Sequence, residues 1–282
     1  MSARLSIVVP AHNEGPLVRR SLTGMLRDAE PGEFEVIVVA NGCDDDTAAQ
    51  AGGVPGVIVT EIAEASKIAA LNRGDELATV YPRAYVDADV DIDTAALRRL
   101  AALLMRAEHP VVAAPTLRVD AAASTPAVRA HTRVWELSEY RQAGHVGSGV
   151  YAVNELGRMR WGRFPPVIAD DRFVQLRFAA EERVTDPDAT FTVRAPRDMT
   201  ALVRRGIRIE RGNRELDAEA GPGGGGSRRA LVARVARSPR LWASFPFYVY
   251  GYAAPKIRVR MGSPRGPVSW GRDESAREAA RV

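Results

Sequence analysis

The sequence predicts an α/β fold with a mostly parallel central sheet flanked by helices, and three observations predict it. Leu5–Pro10 and Glu35–Ala40 are short, β-branched, nearly continuous apolar runs that end in polar, turn-rich clusters, as strands buried on both faces do. Between them, Leu17, Leu22, Met25 and Leu26 fall at helical spacing within Pro16–Ala29. The same alternation of strand-like and helix-like stretches then continues as far as Asp87. In sheets wound this way, ligands gather at the carboxyl ends of the strands.

Taken in order, a helix is expected over Asp45–Ala51, a strand over Val57–Thr60, a helix over Ser66–Leu77 and a strand over Ala84–Asp87 that runs into an acidic cluster. Asp93 reads as the N-cap of a helix over Thr94–Ala107, with Leu97, Leu100, Leu103 and Leu104 on its buried side. Val111–Ala114 reads as the next strand. Beyond it the pattern predicts a helix over Ala127–Tyr140, a strand over Gly149–Val153, a helix over Asp170–Phe178 and a strand over Thr190–Arg194. Gly221–Ser227 is low-complexity and glycine-rich, so a flexible linker is expected over 216–227. An arginine-rich helix and an aromatic cluster (Trp242, Phe245, Phe247, Tyr248, Tyr250, Tyr252) make a small basic extension over 228–261, and 262–282 has the composition of a frayed tail.

The chain has 282 residues, 46% of them hydrophobic, which is enough for one substantial core and a smaller appendage. Its one cysteine, Cys43, rules out an intramolecular disulfide and points to a reducing, cytoplasmic setting. No signal-peptide pattern opens the sequence, and no apolar stretch approaches the ~20 residues that a membrane span needs. The net charge of +4 is modest and is carried by arginine, since Lys67 and Lys256 are the only lysines. Nothing in that balance calls for a nucleic acid. The cations beyond residue 227 would suit phosphates or an anionic inner-leaflet surface, or form a solvated face, and the aromatics of 228–261 would meet that surface or pack onto the preceding domain.

The chemistry-bearing residues begin with Tyr85-Val86-Asp87-Ala88-Asp89, where a strand delivers two carboxylates at i and i+2, on one side of an extended backbone. Such oxygens suit Mg²⁺ or Mn²⁺, which takes its remaining ligands from phosphate and water. A solvated acidic turn would look the same. An EF-hand is excluded, because Ile92 stands at the sixth loop position and Arg98 at the twelfth. A phosphatase-type aspartate would follow the first strand, with a hydroxyl residue where this chain has Asp91.

Three further strings accompany this one: Ile7-Val8-Val9-Pro10-Ala11-His12-Asn13-Glu14, Val38-Val39-Ala40-Asn41-Gly42-Cys43-Asp44-Asp45-Asp46-Thr47, and Lys67-Ile68-Ala69-Ala70-Leu71-Asn72-Arg73-Gly74. In order and approximate spacing, the four resemble the family 2 glycosyltransferases of GT-A fold, from residue 5 to about residue 215. The resemblance implies that Pro10, Ala11, Asn13 and Glu14 line the nucleotide base and ribose of a nucleotide-sugar donor. It implies that Lys67 lies near that donor, and that Asp87-Ala88-Asp89 meets its diphosphate through a divalent cation, with Asp89 the better metal ligand. Asn41 stands where the family often has an aspartate; an amide can serve uracil or guanine, and uracil is favoured.

Further along, Gly147-Ser148-Gly149-Val150-Tyr151 offers close backbone approach to a sugar at Gly149, or a plain bulge. Phe164 to Asp171 resembles the family's acceptor-side segment, which makes Asp171 the general base and Asp170 its neighbour in an inverting transfer. Without the upstream strings, the two acids would read as a helix cap and its first-turn partner. Val203 to Gly212 resembles the family's Gln-x-x-Arg-Trp region. Arg208 matches the arginine, Arg205 and Ile209 replace the glutamine and the tryptophan, and the loss of the tryptophan argues for single-sugar transfer over polymerisation. Arg208 and Arg211 would neutralise the departing diphosphate or form an exposed basic face.

The expected organisation is therefore a catalytic domain over 1–215, with a donor half to about 115 and an acceptor half from 116, followed by the linker, the basic extension and the tail. The acceptor would be a glycan, a lipid-linked intermediate or a small molecule, reached from the cytoplasm or its membrane face. Sugar nucleotidyltransfer is the rival chemistry, but the glycine-rich, arginine-containing loop it needs after the first strand is missing, as is the Gly-x-Gly-x-x-Gly of a dinucleotide enzyme. A nucleotide- or membrane-binding scaffold that keeps the fold without turnover is the non-enzymatic alternative.

Overall fold

The computed structural model of the chain describes residues 3–138, 146–220 and 228–262. Its first elements are β1 (Leu5–Ala11), α1 (Gly15–Leu26), β2 (Phe34–Asn41), α2 (Thr47–Gly52), β3 (Val57–Ile62), α3 (Lys67–Leu77) and β4 (Arg83–Val86). Each lies where the apolar periodicity predicts it. Every residue of β1 is buried, which explains its nearly continuous apolar run. The helix α3 packs so closely over β1 that a Cβ on Gly74 would overlap Val8, so glycine is required there.

After β4 come β5 (Asp91–Ile92), α4 (Thr94–Arg106), β6 (Val112–Asp120), α5 (Pro126–Trp135), β7 (Val150–Val153), α6 (Glu155–Arg158), α7 (Asp170–Gln175), β8 (Arg183–Arg194), α8 (Met199–Ala220), α9 (Arg228–Ala236) and α10 (Phe245–Arg260). Asp93 caps α4 as expected, accepting from the Ala96 amide.

Several boundaries differ from the sequence reading. The last strand begins at Arg183 rather than Thr190, because Arg99 grips Asp186 and Asp188 and holds a polar, proline-containing stretch in the sheet. The helix expected to reach Tyr140 ends at Trp135, and Tyr140 itself lies outside the described residues. Residues 216–220 of the expected linker are the last turn of α8. The remainder of that linker, 221–227, and nearly all of the expected tail, 263–282, lie outside the described residues.

The strands form one eight-stranded sheet in the order β3-β2-β1-β4-β7-β6-β8-β5. Pairing is parallel across β3, β2, β1 and β4, and antiparallel between β4 and β7, β7 and β6, and β5 and β8. The sense of β7 matters most for the site. Because it runs against β4, with Tyr85 opposite Tyr151 and Val86 opposite Val150, the start of β7 meets the carboxyl end of β4.

The chain divides into two compact units. The first comprises Met1–Arg118, Gly144–Pro166 and Asp170–Val193, and holds the parallel strands and the acidic motifs. The second comprises Val119–Ala143, Val167–Ala169 and Arg194–Val282. Within it, Val134 of α5 packs with Leu231 and Val235 of α9, joined by Leu137, Leu241, Phe245 and Tyr248. The helix α10 lies close on its neighbours through Gly251, where a Cβ would sit 2.6 Å from the His131 ring, and through Pro255, which faces Gly206 of α8. Part of the aromatic cluster is thus core of this unit, while Trp242, Phe247, Tyr250 and Tyr252 stay exposed.

Candidate active site

All four strings, three at strand ends and one opening α3, belong to the first unit. The loops after β1 and β2 are fastened to each other. Asn13, in the left-handed region at φ 50°, accepts from the Asp44 amide at 2.8 Å and donates its own side-chain amide back to the Asp44 carboxylate. The Glu14 amide donates to Thr47 Oγ1 at 2.6 Å. Pro10 and Ala11 lie buried within β1. Asn41 is fully buried and spends its amide on the Ala11 carbonyl at 2.7 Å, whereas its Oδ1 has no protein partner. Beside it, a pocket of about 380 Å³ opens at the ends of β2 and β3, lined by Ala40, Gly42, Cys43, Glu61, Ile62 and Ala63. The sequence reading passed over Glu61, which sits in a strand end without a recognisable motif.

At the end of β4, Asp87 and Asp89 diverge in environment. Asp89 is exposed, Ala88 is buried, and Asp87 is a third exposed, with Oδ1 held 2.7 Å from Lys67 Nζ. The same ammonium lies 2.8 Å from Asp170 Oδ1. Lys67 therefore bridges Asp87 of the Asp-Ala-Asp string and Asp170 of the acidic pair, a contact that the sequence did not suggest. Burial alone would lower the Lys67 pKa, but the carboxylates of Asp170 and then Asp87 outweigh it and hold it above its ordinary value.

Asp170 is buried at the start of α7. Burial pushes its pKa upward, Lys67 pulls it down, and Asp171 and Asp87 add to the upward push. Its two oxygens each meet a donor, Lys67 on one and the Tyr151 hydroxyl on the other at 3.1 Å, so the geometry is that of a carboxylate in an ion pair. Burial raises the Tyr151 hydroxyl well above its usual range, which keeps it protonated and able to donate. Tyr151 stacks on Tyr85 at 4.9 Å, and the Tyr85 hydroxyl donates to Asp75 at 2.8 Å. Asp75 is in turn pinned by Arg83 and Arg158. Sequence reasoning missed this floor beneath the site. Its members come from α3, β4, β7 and α6, and only the buried pair Tyr85 and Tyr151, each beside a chemistry-bearing motif, carried any signal.

Asp171 differs from its neighbour in being only half-buried. Its Oδ2 accepts from the Ser148 backbone amide at 3.0 Å. That amide is presented by three successive residues in the left-handed region, Gly147, Ser148 and Gly149, at φ 125°, 63° and 107°. A Cβ on Gly147 would come within 2.6 Å of Asp171 Oδ2, and one on Gly149 within 2.8 Å of Val90. The Gly149 carbonyl meanwhile accepts from the Asp87 amide at 2.8 Å. One short turn thus fastens both the Asp87 backbone and the Asp171 carboxylate, and Gly149 does so through a bond to protein.

Arg208 and Arg211 lie half-buried along α8 in the second unit. Among the described residues, no group of three or more His, Cys, Asp or Glu side chains could hold a metal ion by itself. The oxygens of Asp87 and Asp89 nonetheless fit a hard divalent cation that completes its shell with phosphate and water.

Residues 6–164, more than half of the chain, match the family model described as glycosyl transferase family 2. No curated protein sequence matches the chain. Among solved structures, it resembles the mannosyltransferase PcManGT from Pyrobaculum calidifontis, in complex with GDP-Man and Mn²⁺, at 20% identity, 100% of this chain, 79% of that one and a TM-score of 0.60. It also resembles glucosyl-3-phosphoglycerate synthase from Mycobacterium tuberculosis with Mn²⁺ and UDP-glucose, at 18% identity, 78% of this chain, 80% of that one and a TM-score of 0.57. The same synthase with Mg²⁺ and UDP gives 19% identity over 78% and 80% of the two chains, with a TM-score of 0.56. At such identities the structures show a shared fold, the GT-A arrangement of sheet and helices. With its family matched over the strands that carry the acids, this chain belongs to glycosyl transferase family 2 and is a glycosyltransferase.

Proposed function

We propose that the enzyme transfers one sugar, with inversion, from a uridine-diphosphate-linked donor to a hydroxyl of a glycan, lipid-linked or small-molecule acceptor. The observation that carries this reading is the division of labour between adjacent acids. Asp170 is buried and held in an ion pair by Lys67, which leaves Asp171, half-exposed and oriented by the backbone amides of Ser148 and Arg172 on its two oxygens, as the group able to accept the proton of an attacking hydroxyl. One such base suffices for displacement at the face opposite the leaving diphosphate.

Asp89, with the second oxygen of Asp87, would hold Mg²⁺ or Mn²⁺, and that cation would supply neutralising charge for the diphosphate. The fold neighbours solved with these cations and nucleotides support the assignment. The pocket beside Asn41 is the natural place for the base, with Pro10, Ala11, Asn13 and Glu14 forming the adjoining strand end and loop. For Arg208 and Arg211 the support is the sequence pattern alone, and alanine at either should weaken nucleotide binding.

Two measurements test the proposal. Asp171→Asn should retain donor binding and lose turnover, and turnover at the unsubstituted rate would remove Asp171 as base. Calorimetry with UDP-sugars and GDP-sugars, with Mn²⁺ and then with EDTA, should show metal-dependent heat that Asp89→Ala abolishes. Binding of GDP-sugars in preference would overturn the uridine assignment.

A further inference from the structure

The second unit carries an apolar surface to which the proposed reaction assigns no role. Of the 15 most exposed large hydrophobic side chains among the described residues, eight lie between Val232 and Met261, a concentration too high for ordinary surface scatter. They are organised by α10. The side of this helix bearing Tyr248, Gly251 and Pro255 packs within the unit, with Tyr248 stacked 5.5 Å from His131. The side turned away carries Val249, Tyr250, Ile257 and Met261, which are 45%, 51%, 52% and 80% exposed. Tyr250, Ile257 and Met261 follow at spacings of seven and four, which places them along one stripe. Nearby, Trp242 is 59% exposed although its indole N–H is tied to the Val235 carbonyl at 3.2 Å, so the ring is held outward.

The charge around this stripe selects its occupant. Residues 228–262 contain seven arginines and one lysine and no aspartate or glutamate. Lys256 is met by Glu210 of α8 at 3.1 Å, but a second copy docked stripe to stripe would bring the exposed Arg258 and Arg260 of both copies together. An anionic lipid surface offers both an apolar layer for the stripe and negative headgroups for Arg258 and Arg260 at its end. Tyrosine, tryptophan and arginine are the side chains that settle at such a boundary. At 16 residues, α10 is suited to lie along the surface, and no helix among the described residues is long and apolar enough to cross a membrane.

We propose that the outward face of α10, with Trp242, docks the enzyme on an anionic lipid bilayer. The proposal is independent of the identity of donor or base. It is tested by co-sedimentation of the full chain with mixed phosphatidylcholine–phosphatidylglycerol vesicles, against pure phosphatidylcholine vesicles. Binding is expected to the mixed vesicles only and to weaken as salt rises. The variant Tyr250→Glu/Ile257→Glu, exposed and therefore folded as judged by circular dichroism, should lose binding. A second variant, Arg258→Gln/Arg260→Gln, should weaken it about five-fold per charge removed. Absence of binding to mixed vesicles at low salt, equal binding to neutral vesicles, or indifference to both variants would overturn the proposal. So would a dimer in solution that the Tyr250→Glu/Ile257→Glu variant dissociates, since the stripe would then be covered by a second copy.

Discussion

Lys67 Nζ lies 2.8 Å from Asp170 Oδ1 and, with the same ammonium, 2.7 Å from Asp87, so one cation ties the helix that opens on the acidic pair to the strand that ends in Asp-Ala-Asp. The two acids sit 83 residues apart in sequence. Without Lys67 they would repel each other across a poorly solvated space.

Lys67→Met should therefore destabilise the fold by about 3 kcal/mol, the usual cost of leaving a buried carboxylate unpaired. Urea denaturation measures it, and Lys67→Met/Asp170→Asn should recover much of the loss. The folded pKa of Lys67 is raised, so the contribution is complete at neutral pH and is lost only in strong alkali. A single variant as stable as the parent would show that the bridge contributes nothing.

Tyr151→Phe removes the donor to Asp170 Oδ2 and leaves a buried oxygen unsatisfied, at a cost of about 1 to 3 kcal/mol. The stacking on Tyr85 is retained, so a fall in melting temperature reports the lost hydroxyl. No fall would mean that Asp170 finds another donor.

Gly147→Ala places a methyl against Asp171 Oδ2 in a backbone conformation that alanine resists. The expected result is a drop in kcat on the order of a hundred-fold from misplacement of Asp171, the proposed base, with donor KM nearly unchanged. A change confined to KM would show that the turn serves the donor instead.

His131 is held neutral by burial, its pKa pushed down to about 4 from 6.5. The unfolded chain then binds the proton first, so stability should decline as pH falls from about 6.5 towards 4. The ceiling on this loss is roughly 3 kcal/mol. His131→Gln should flatten that part of the pH–stability curve, and an unchanged slope would assign it to other groups.

The sequence displays the first half of the sheet clearly because β1, β2 and β4 are almost wholly buried and therefore mostly apolar, while the loops at their ends are free to carry polar strings. The acidic pair at Asp170 and Asp171 is visible for the same reason, as a polar interruption at a helix start. The strand from Arg183 is hidden because Asp186, Pro187 and Asp188 read as a turn, and only the distant Arg99 makes them strand. Likewise α8 is long, charged and partly exposed, and its packing against α10 is a tertiary fact that no local periodicity announces. The clasp on Asp75 by Arg83 and Arg158 leaves no pattern at all, since its members lie 8 and 83 residues from it.

The mutual bonding of Asn13 and Asp44 has a consequence for altering donor preference. Each side chain completes the other loop's backbone or carboxylate, so the loops after β1 and β2 behave as a single module with one seam. Grafting a relative's loop at only one of the two positions would strand an amide or an acid at that seam. Transplanting them as a pair keeps the seam closed, and makes the pair the natural unit for exchanging the proposed base pocket between members of the family.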